Sequence, residues 1–178
     1  MLEPPLTNAA FQDAGLQRVV SRLSKTLERD QLVQATVDQL KTLFNADRVV
    51  LYYFYCRWQG QVTFEALSHP QLSIYGSTGA EQCFNDEYAD KYLKGRIQAI
   101  ADVEQANIHP CHLDFLRSIQ VKANLVAPIL TQQGLWGLLI AHHCQSPRTW
   151  SAQDVEAMRT AAHQLATAPA IGDSSIWP

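Results

Sequence analysis

The stretch VKANLVAPILTQQGLWGLLIAHHC, residues 121–144, decides the fold. Two runs rich in Val, Leu and Ile flank TQQG, a short polar loop with glycine at its end, which is the pattern of a β-hairpin. In the second run, alternation puts Trp136, Leu138, Ile140 and His142 on one face and Leu135, Leu139, Ala141 and His143 on the other. Both faces are largely apolar, so this is a central strand covered on two sides.

Downstream, Ser151 followed three residues later by Asp154 makes a capping-box-like helix start, with Trp150 and Val155 placed as a hydrophobic staple. Val155, Met158, Ala162 and Leu165 give that helix its buried stripe. Upstream, HLDFLRSI (112–119) reads as a short helix and RIQAIAD (96–102) as a strand. FNDEYADKYLKG (84–95) reads as a short helix ending at Gly95, a usual residue just past a helix end. HPQLSIYGSTGAEQ (69–82) has no period and carries Pro, Gly and Ser, the composition of a long loop with a functional role. RVVLYYFYCRW (48–58) and QVTFEALS (61–68) form a second hairpin around the turn QG. Two helices precede it. The first carries Leu16, Val19, Val20, Leu23 and Leu27; the second starts near Asp30 and buries Val33, Val37, Leu40 and Phe44.

This order predicts one α+β domain. An antiparallel sheet has the terminal helices on one face and the looped, helical insertions on the other, with a pocket between sheet and insertions. Residues 1–10 read as a flexible lead-in, 11–170 as the domain and 171–178 as a tail. At 178 residues, 47% hydrophobic and with a net charge of -3, the chain has neither a basic nucleic-acid surface nor an acidic disordered tail. No apolar run approaches the roughly 20 residues that span a bilayer. The N-terminus MLEPPLTNAAFQDAG lacks the charged and apolar regions of a secretory signal, so a cytoplasmic location is expected. There the four cysteines, Cys56, Cys83, Cys111 and Cys144, are expected to be thiols.

The segment ANIHPCHLDFL (106–116) sets a cysteine directly before a histidine. His109, Cys111, His112, His142, His143 and Cys144 are all donors that zinc accepts, but no C-x₂-C knuckle or H-x₃-H pair occurs. His142 and His143 point to opposite strand faces and do not chelate together. A catalytic Cys–His pair fits no better, because neighbours on a helix diverge by about 100°. A thiol at a helix start is nonetheless activated by the dipole and backbone N–H groups. Cys111 therefore suits attack on one bound electrophile better than repeated turnover.

From about residue 28 to 168 the chain resembles the bilin-binding GAF domain of a cyanobacteriochrome, a cyanobacterial relative of phytochrome. The resemblance is carried by YLKGRIQAIADV (92–103), CHLDFLRSIQVKANLVAPIL (111–130) and LWGLLIAHHCQSPRTW (135–150). It implies that Cys111 forms a thioether to ring A of a linear tetrapyrrole, phycocyanobilin or phycoviolobilin. His112 would pack over the bilin near its pyrrole nitrogens, and His142 would lie near the ring D carbonyl. EQCF (81–84) resembles the DXCF motif of the two-cysteine subfamily, with Glu81 where the motif has Asp. By that likeness Cys83, beside Phe84, adds reversibly to the central methine bridge and halves the conjugation. A blue or violet dark state and a green, teal or orange photoproduct follow, with ring D rotating about C15=C16. Glu81, or Asp86 in its stead, would accept hydrogen bonds from the bilin N–H groups.

Other contacts follow from position. Arg96 and Lys122 are the cations for the two propionates. Lys122 and Asn124 share a strand face, and Tyr88 and Tyr92 share a helix face suited to packing on a tetrapyrrole ring. Cys56 and Cys144 are assigned to packing. Bilin attachment would be autocatalytic, with isomerisation of the bilin in some relatives, so no multiple-turnover enzyme is expected. Two other classes share the fold: a GAF module binding a cyclic nucleotide or redox cofactor, and a GAF-fold methionine sulfoxide reductase. No kinase, cyclase or DNA-binding pattern follows residue 168, so output is expected from a partner, from sequence beyond this chain, or from homodimerisation through the terminal helices.

Overall fold

The computed structural model describes residues 8–79 and 86–172. Five strands form one antiparallel sheet in the order β2-β1-β5-β4-β3. They are β1 (Arg48–Cys56), β2 (Gln59–Leu67), β3 (Gln98–Ile100), β4 (Ala123–Thr131) and β5 (Gly134–His143). Both hairpins lie where the alternation places them, and β5 is central, paired with β1 on one side and β4 on the other. Helices α1 (Asn8–Phe44), α4 (Ala152–Thr167) and α5 (Pro169–Gly172) cover one face; α2 (Asp86–Leu93), α3 (Pro110–Ser118) and a 3-10 turn at Pro70–Leu72 lie with the connecting loops on the other. The architecture is the expected α+β one.

The helix-side core is apolar throughout. Val33, Val37, Leu40 and Phe44 of α1 pack with Met158, Ala162 and Leu165 of α4 against Val49, Leu51, Leu125, Ala127 and Leu139 of the sheet. α4 opens with the reciprocal cap read from the sequence: Asp154 N–H donates to Ser151 Oγ at 3.1 Å, and Ser151 N–H donates to Asp154 Oδ2 at 2.9 Å. Ile171, assigned to the tail, is fully buried in this core, so the packed domain reaches α5.

Three expectations are corrected. The two N-terminal helices are one, continuous from Asn8 to Phe44, because nothing between Leu27 and Asp30 breaks helical geometry. Its start also takes in residues 8–10 of the expected lead-in. The helix stops at Asn45, whose φ of 47° is left-handed. Leu16, Val19, Val20, Leu23 and Leu27 are more than half exposed, so that stripe does not join the domain core.

The third correction concerns β5. Ile129 pairs with Gly137 but Leu130 pairs with Leu135, which leaves Trp136 as the extra residue of a β-bulge. The bulge flips the alternation ahead of it. Trp136 therefore joins the helix-side core, its ring 5.2 Å from that of Tyr53, while Leu135 faces the other way with Leu138. Gly137 is required beside the bulge, since a Cβ there would meet the Tyr52 carbonyl oxygen at 2.7 Å. Among the described residues no helix is long and apolar enough to cross a membrane.

Candidate ligand-binding site

On its second face the sheet does not close. Between β1, β4 and β5 below and α2, α3 and the loop after β2 above lies a cavity of about 810 Å³, counting its open mouth. Its floor is apolar: Val50, Val126, Leu138 and Ile140 project from three adjacent strands. The loop is held over it by main-chain bonds between Val62 and residues 76–77, and by the Tyr52 hydroxyl, which donates to the Thr78 carbonyl at 2.6 Å. Ile74, Ser77 and Gly79 of that loop line the opening.

The polar groups are few. Tyr88 and Tyr92, one turn apart on α2, both line the cavity. The Tyr92 hydroxyl donates to Gln98 Oε1 at 3.0 Å, and burial pushes its ionisation far above the usual range. Tyr88 is raised by burial as well, against an opposing effect of the Arg96 charge. Its ring meets that of His112 edge-on with centroids 5.7 Å apart, and its hydroxyl lies 3.4 Å from His112 Nδ1. Burial lowers the pKa of His112.

His112 reaches the cavity because α3 is set by a cap that the sequence reading overlooked. Pro110 takes the first helical position, and His109 Nδ1 accepts the Cys111 backbone N–H at 3.2 Å. The legible signal was a polar side chain directly before a proline at a helix start. Cys111 is partly buried and outside the cavity lining, one residue before His112. Its sulfur is in a disulfide, against the expectation of thiols throughout, whereas Cys56 and Cys144 are free.

Asn124 and His142 are cross-strand partners on β4 and β5, both buried and both lining the cavity. Asn124 Oδ1 has no hydrogen-bond partner among the described residues. A buried acceptor left so costs about 1–3 kcal/mol, which a donor on a ligand recovers. His142 Nδ1 receives a hydrogen bond from Arg48 Nε at 3.0 Å. Burial holds the His142 pKa well below the ordinary value, with the Arg48 charge and then His112 adding to the effect.

Arg48 itself was not singled out in the sequence, and a charge opening an apolar strand gives little reason to do so. It is nearly fully buried and also donates to the carbonyls of Leu72, at 2.6 Å, and Ile119, at 2.9 Å. Of the other predicted residues, Arg96 and Lys122 are exposed and outside the lining. Lys122 precedes the first residue of β4, so the alternation that aims Asn124 inward does not extend to it; it borders a separate cleft with His69, Arg117 and Cys144. Glu81, Cys83 and Phe84 lie outside the described residues.

A GAF-domain family profile matches residues 28–168. An uncharacterised protein of Picosynechococcus sp. is 54% identical over 154 residues, covering 86% of this chain and 94% of the relative. The circadian input-output histidine kinase CikA of Synechocystis sp. is 30% identical over 191 residues, covering 93% of this chain but 26% of the kinase. The chain thus spans about a quarter of that larger protein. Among solved structures, the blue-light-absorbing form of the Thermosynechococcus elongatus PixJ GAF domain superposes with a TM-score of 0.71 at 33% identity, over 80% of this chain and 88% of that one. The phycocyanobilin-bound GAF domain of a cyanobacterial phytochrome superposes at 0.74 and 30%, over 90% of this chain and 94% of that one.

Proposed function

The chain belongs to the GAF family, and from that premise we propose that it is a photosensory module holding a linear tetrapyrrole, phycocyanobilin or phycoviolobilin, by a thioether at Cys111. The observation that carries this reading is the cavity. It has an aliphatic floor and aromatic walls, with an orphaned acceptor on Asn124 and imidazoles from His112 and His142. A long, flat, mostly apolar ligand with N–H groups and a terminal carbonyl fits those features. Likeness to a blue-absorbing and to a phycocyanobilin-bound GAF domain supports the same choice.

The bilin supplies light absorption and a double bond that isomerises between 15Z and 15E. The protein's part is to bind, anchor and orient. Cys111 adds as a thiol, so the S–C bond forms while the thiol proton passes to the neighbouring carbon and nothing leaves. Attachment therefore starts from reduced protein and is self-modification without turnover. Cys83 makes the second, reversible addition at the central methine bridge, which gives a blue or violet dark state and a green, teal or orange photoproduct. Glu81 accepts from the bilin N–H groups, and Phe84 is assigned to the chromophore-binding set. Arg96 and Lys122 are the propionate cations; both are solvent-exposed.

Co-expression with bilin-synthesising enzymes tests this. The purified protein is expected to be coloured and to show zinc-induced fluorescence on a denaturing gel. A colourless protein would overturn the reading, and would then be assayed for cyclic-nucleotide binding or thiol-dependent reduction of methionine sulfoxide. Cys83→Ala should keep the adduct but absorb at longer wavelength in the dark; an unchanged blue dark band sinks the two-cysteine cycle.

For output we propose pairing of two copies through α1. Leu16, Val20, Leu23 and Leu27 recur at 4-3-4 spacing, the seam of a coiled coil, and all are exposed. Gln17, Ser24 and Thr26 flank the seam without charge, while Arg18, Arg22 and Lys25 lie away from it. Light scattering should give a dimer that Leu23→Glu splits; a monomeric parent removes the proposal.

A further inference from the structure

A fully buried arginine is expensive, because its charge leaves water and does not neutralise. Arg48 has all three of its acceptors neutral: two main-chain carbonyls and one imidazole nitrogen. The imidazole bond carries information that the carbonyl bonds do not. Every guanidinium nitrogen that bonds is a donor, and none accepts. The 3.0 Å contact from Arg48 Nε to His142 Nδ1 therefore requires a lone pair on Nδ1. That excludes both the imidazolium and the Nδ1–H tautomer. The proton of the neutral ring resides on Nε2, at the far edge of a side chain that lines the cavity.

We propose that Arg48 is a positioning residue that fixes His142 as a neutral Nε2–H donor toward the ligand's terminal carbonyl. The role of His142 toward a bilin rests on the function proposed above; its tautomer does not. Two features of the fold support the assignment. Arg48 and His142 are cross-strand partners in the β1–β5 ladder, so the bond spans adjacent backbones and not flexible segments. The other two donors of Arg48 grip Leu72 and Ile119, at the end of the 3-10 turn and just after α3, which hold the guanidinium plane in place. A plane held at three points keeps Nε aimed at one ring nitrogen. The neighbouring Asn124 offers an acceptor beside this donor, and together they match a cyclic amide, whose N–H and C=O lie side by side.

The test begins with pigment-free, reduced, ¹⁵N-labelled protein and a long-range ¹H–¹⁵N correlation spectrum of its histidines. His142 should show the Nε2–H pattern; an Nδ1–H or imidazolium pattern overturns the inference at once. Arg48→Met keeps bulk without the donor, and Arg48→Lys keeps the charge without the fork. In a folded Arg48→Met protein the Nδ1–H tautomer should become detectable, and Arg48→Lys should restore the parental pattern at least in part. An unchanged tautomer in folded Arg48→Met also overturns it. If that variant does not fold, the wild-type spectrum still decides. Pigmented Arg48→Met should keep its zinc-fluorescent adduct while its ring D-dependent absorption and photoconversion yield change. An adduct with parental photochemistry would refute the positioning role, whereas failure of the parent to take up any pigment refutes the proposed function and leaves the tautomer result standing.

Discussion

The two faces of the sheet are made by alternate residues of the same strands, yet they do opposite things. The helix face is filled: Leu51, Leu125, Ala127, Leu139 and Ala141 meet α1 and α4 with no buried polar side chain between them. The other face collects Arg48, Gln98, Asn124 and His142, four of the five buried polar residues among those described, and leaves a cavity lined by Asn124 and His142. Closing a face with aliphatic side chains maximises stability, and leaving one open with oriented polar groups sacrifices some of it for recognition. Substitutions on the two faces should therefore separate stability from binding.

The largest effect is expected on the open side. Cys111→Ala should abolish the denaturation-resistant pigment altogether, while under reducing conditions its unfolding free energy stays within about 0.5 kcal/mol of the parent. Residual covalent pigment would move the anchor to another cysteine. Next is a pair of neighbours. Leu139→Ala, on the filled face, should cost about 3 kcal/mol in denaturant melts, whereas Leu138→Ala, at the cavity wall, should cost roughly 1 kcal/mol. Equal losses would mean that the open face is as tightly packed as the closed one.

The pH dependence follows from His142 and His112, both of which have lowered pKa values in the folded state. Below about pH 6.5 the unfolded chain binds protons that the folded chain does not, so their stabilisation is complete above that pH and is lost as pH falls. The slope from each such histidine is at most about 1.4 kcal/mol per pH unit, reached where only its unfolded form is protonated. His142→Gln should flatten the decline as pH falls below about 6.5 in melts of the pigment-free protein; an unaltered slope would assign it elsewhere. The smallest effect is at Asn124. Asn124→Leu removes the orphaned acceptor and should stabilise the pigment-free protein by about 1 kcal/mol while reducing pigment uptake. A destabilised variant would show that Oδ1 is satisfied after all.

Much of the fold was legible because its signals are local. The period-2 runs of β1, β2, β4 and β5 fixed both hairpins, and Ser151 with Asp154 fixed the start of α4. Strict alternation failed at Trp136, since a bulge shifts register without any residue type that announces it except Gly137. At the site, His112, His142, Tyr88, Tyr92 and Asn124 all line one cavity. Arg48 did not stand out, because its partners lie 24, 71 and 94 residues away and only the folded ladder brings them near. The polar cap of α3 by His109 was in plain view but lay outside the usual Ser, Thr, Asp and Asn set.

The unbroken α1 has a mechanical consequence. Only its last third, from Val33 to Phe44, is seated on the sheet, and the remainder extends beyond that seat. At 1.5 Å per residue, the 25 residues from Asn8 to Leu32 form a rod of about 37 Å. A tilt of about 5° at the seat displaces its far end by about 3 Å. The helix is thus a pointer whose pivot touches the same strands as the cavity, on their other side.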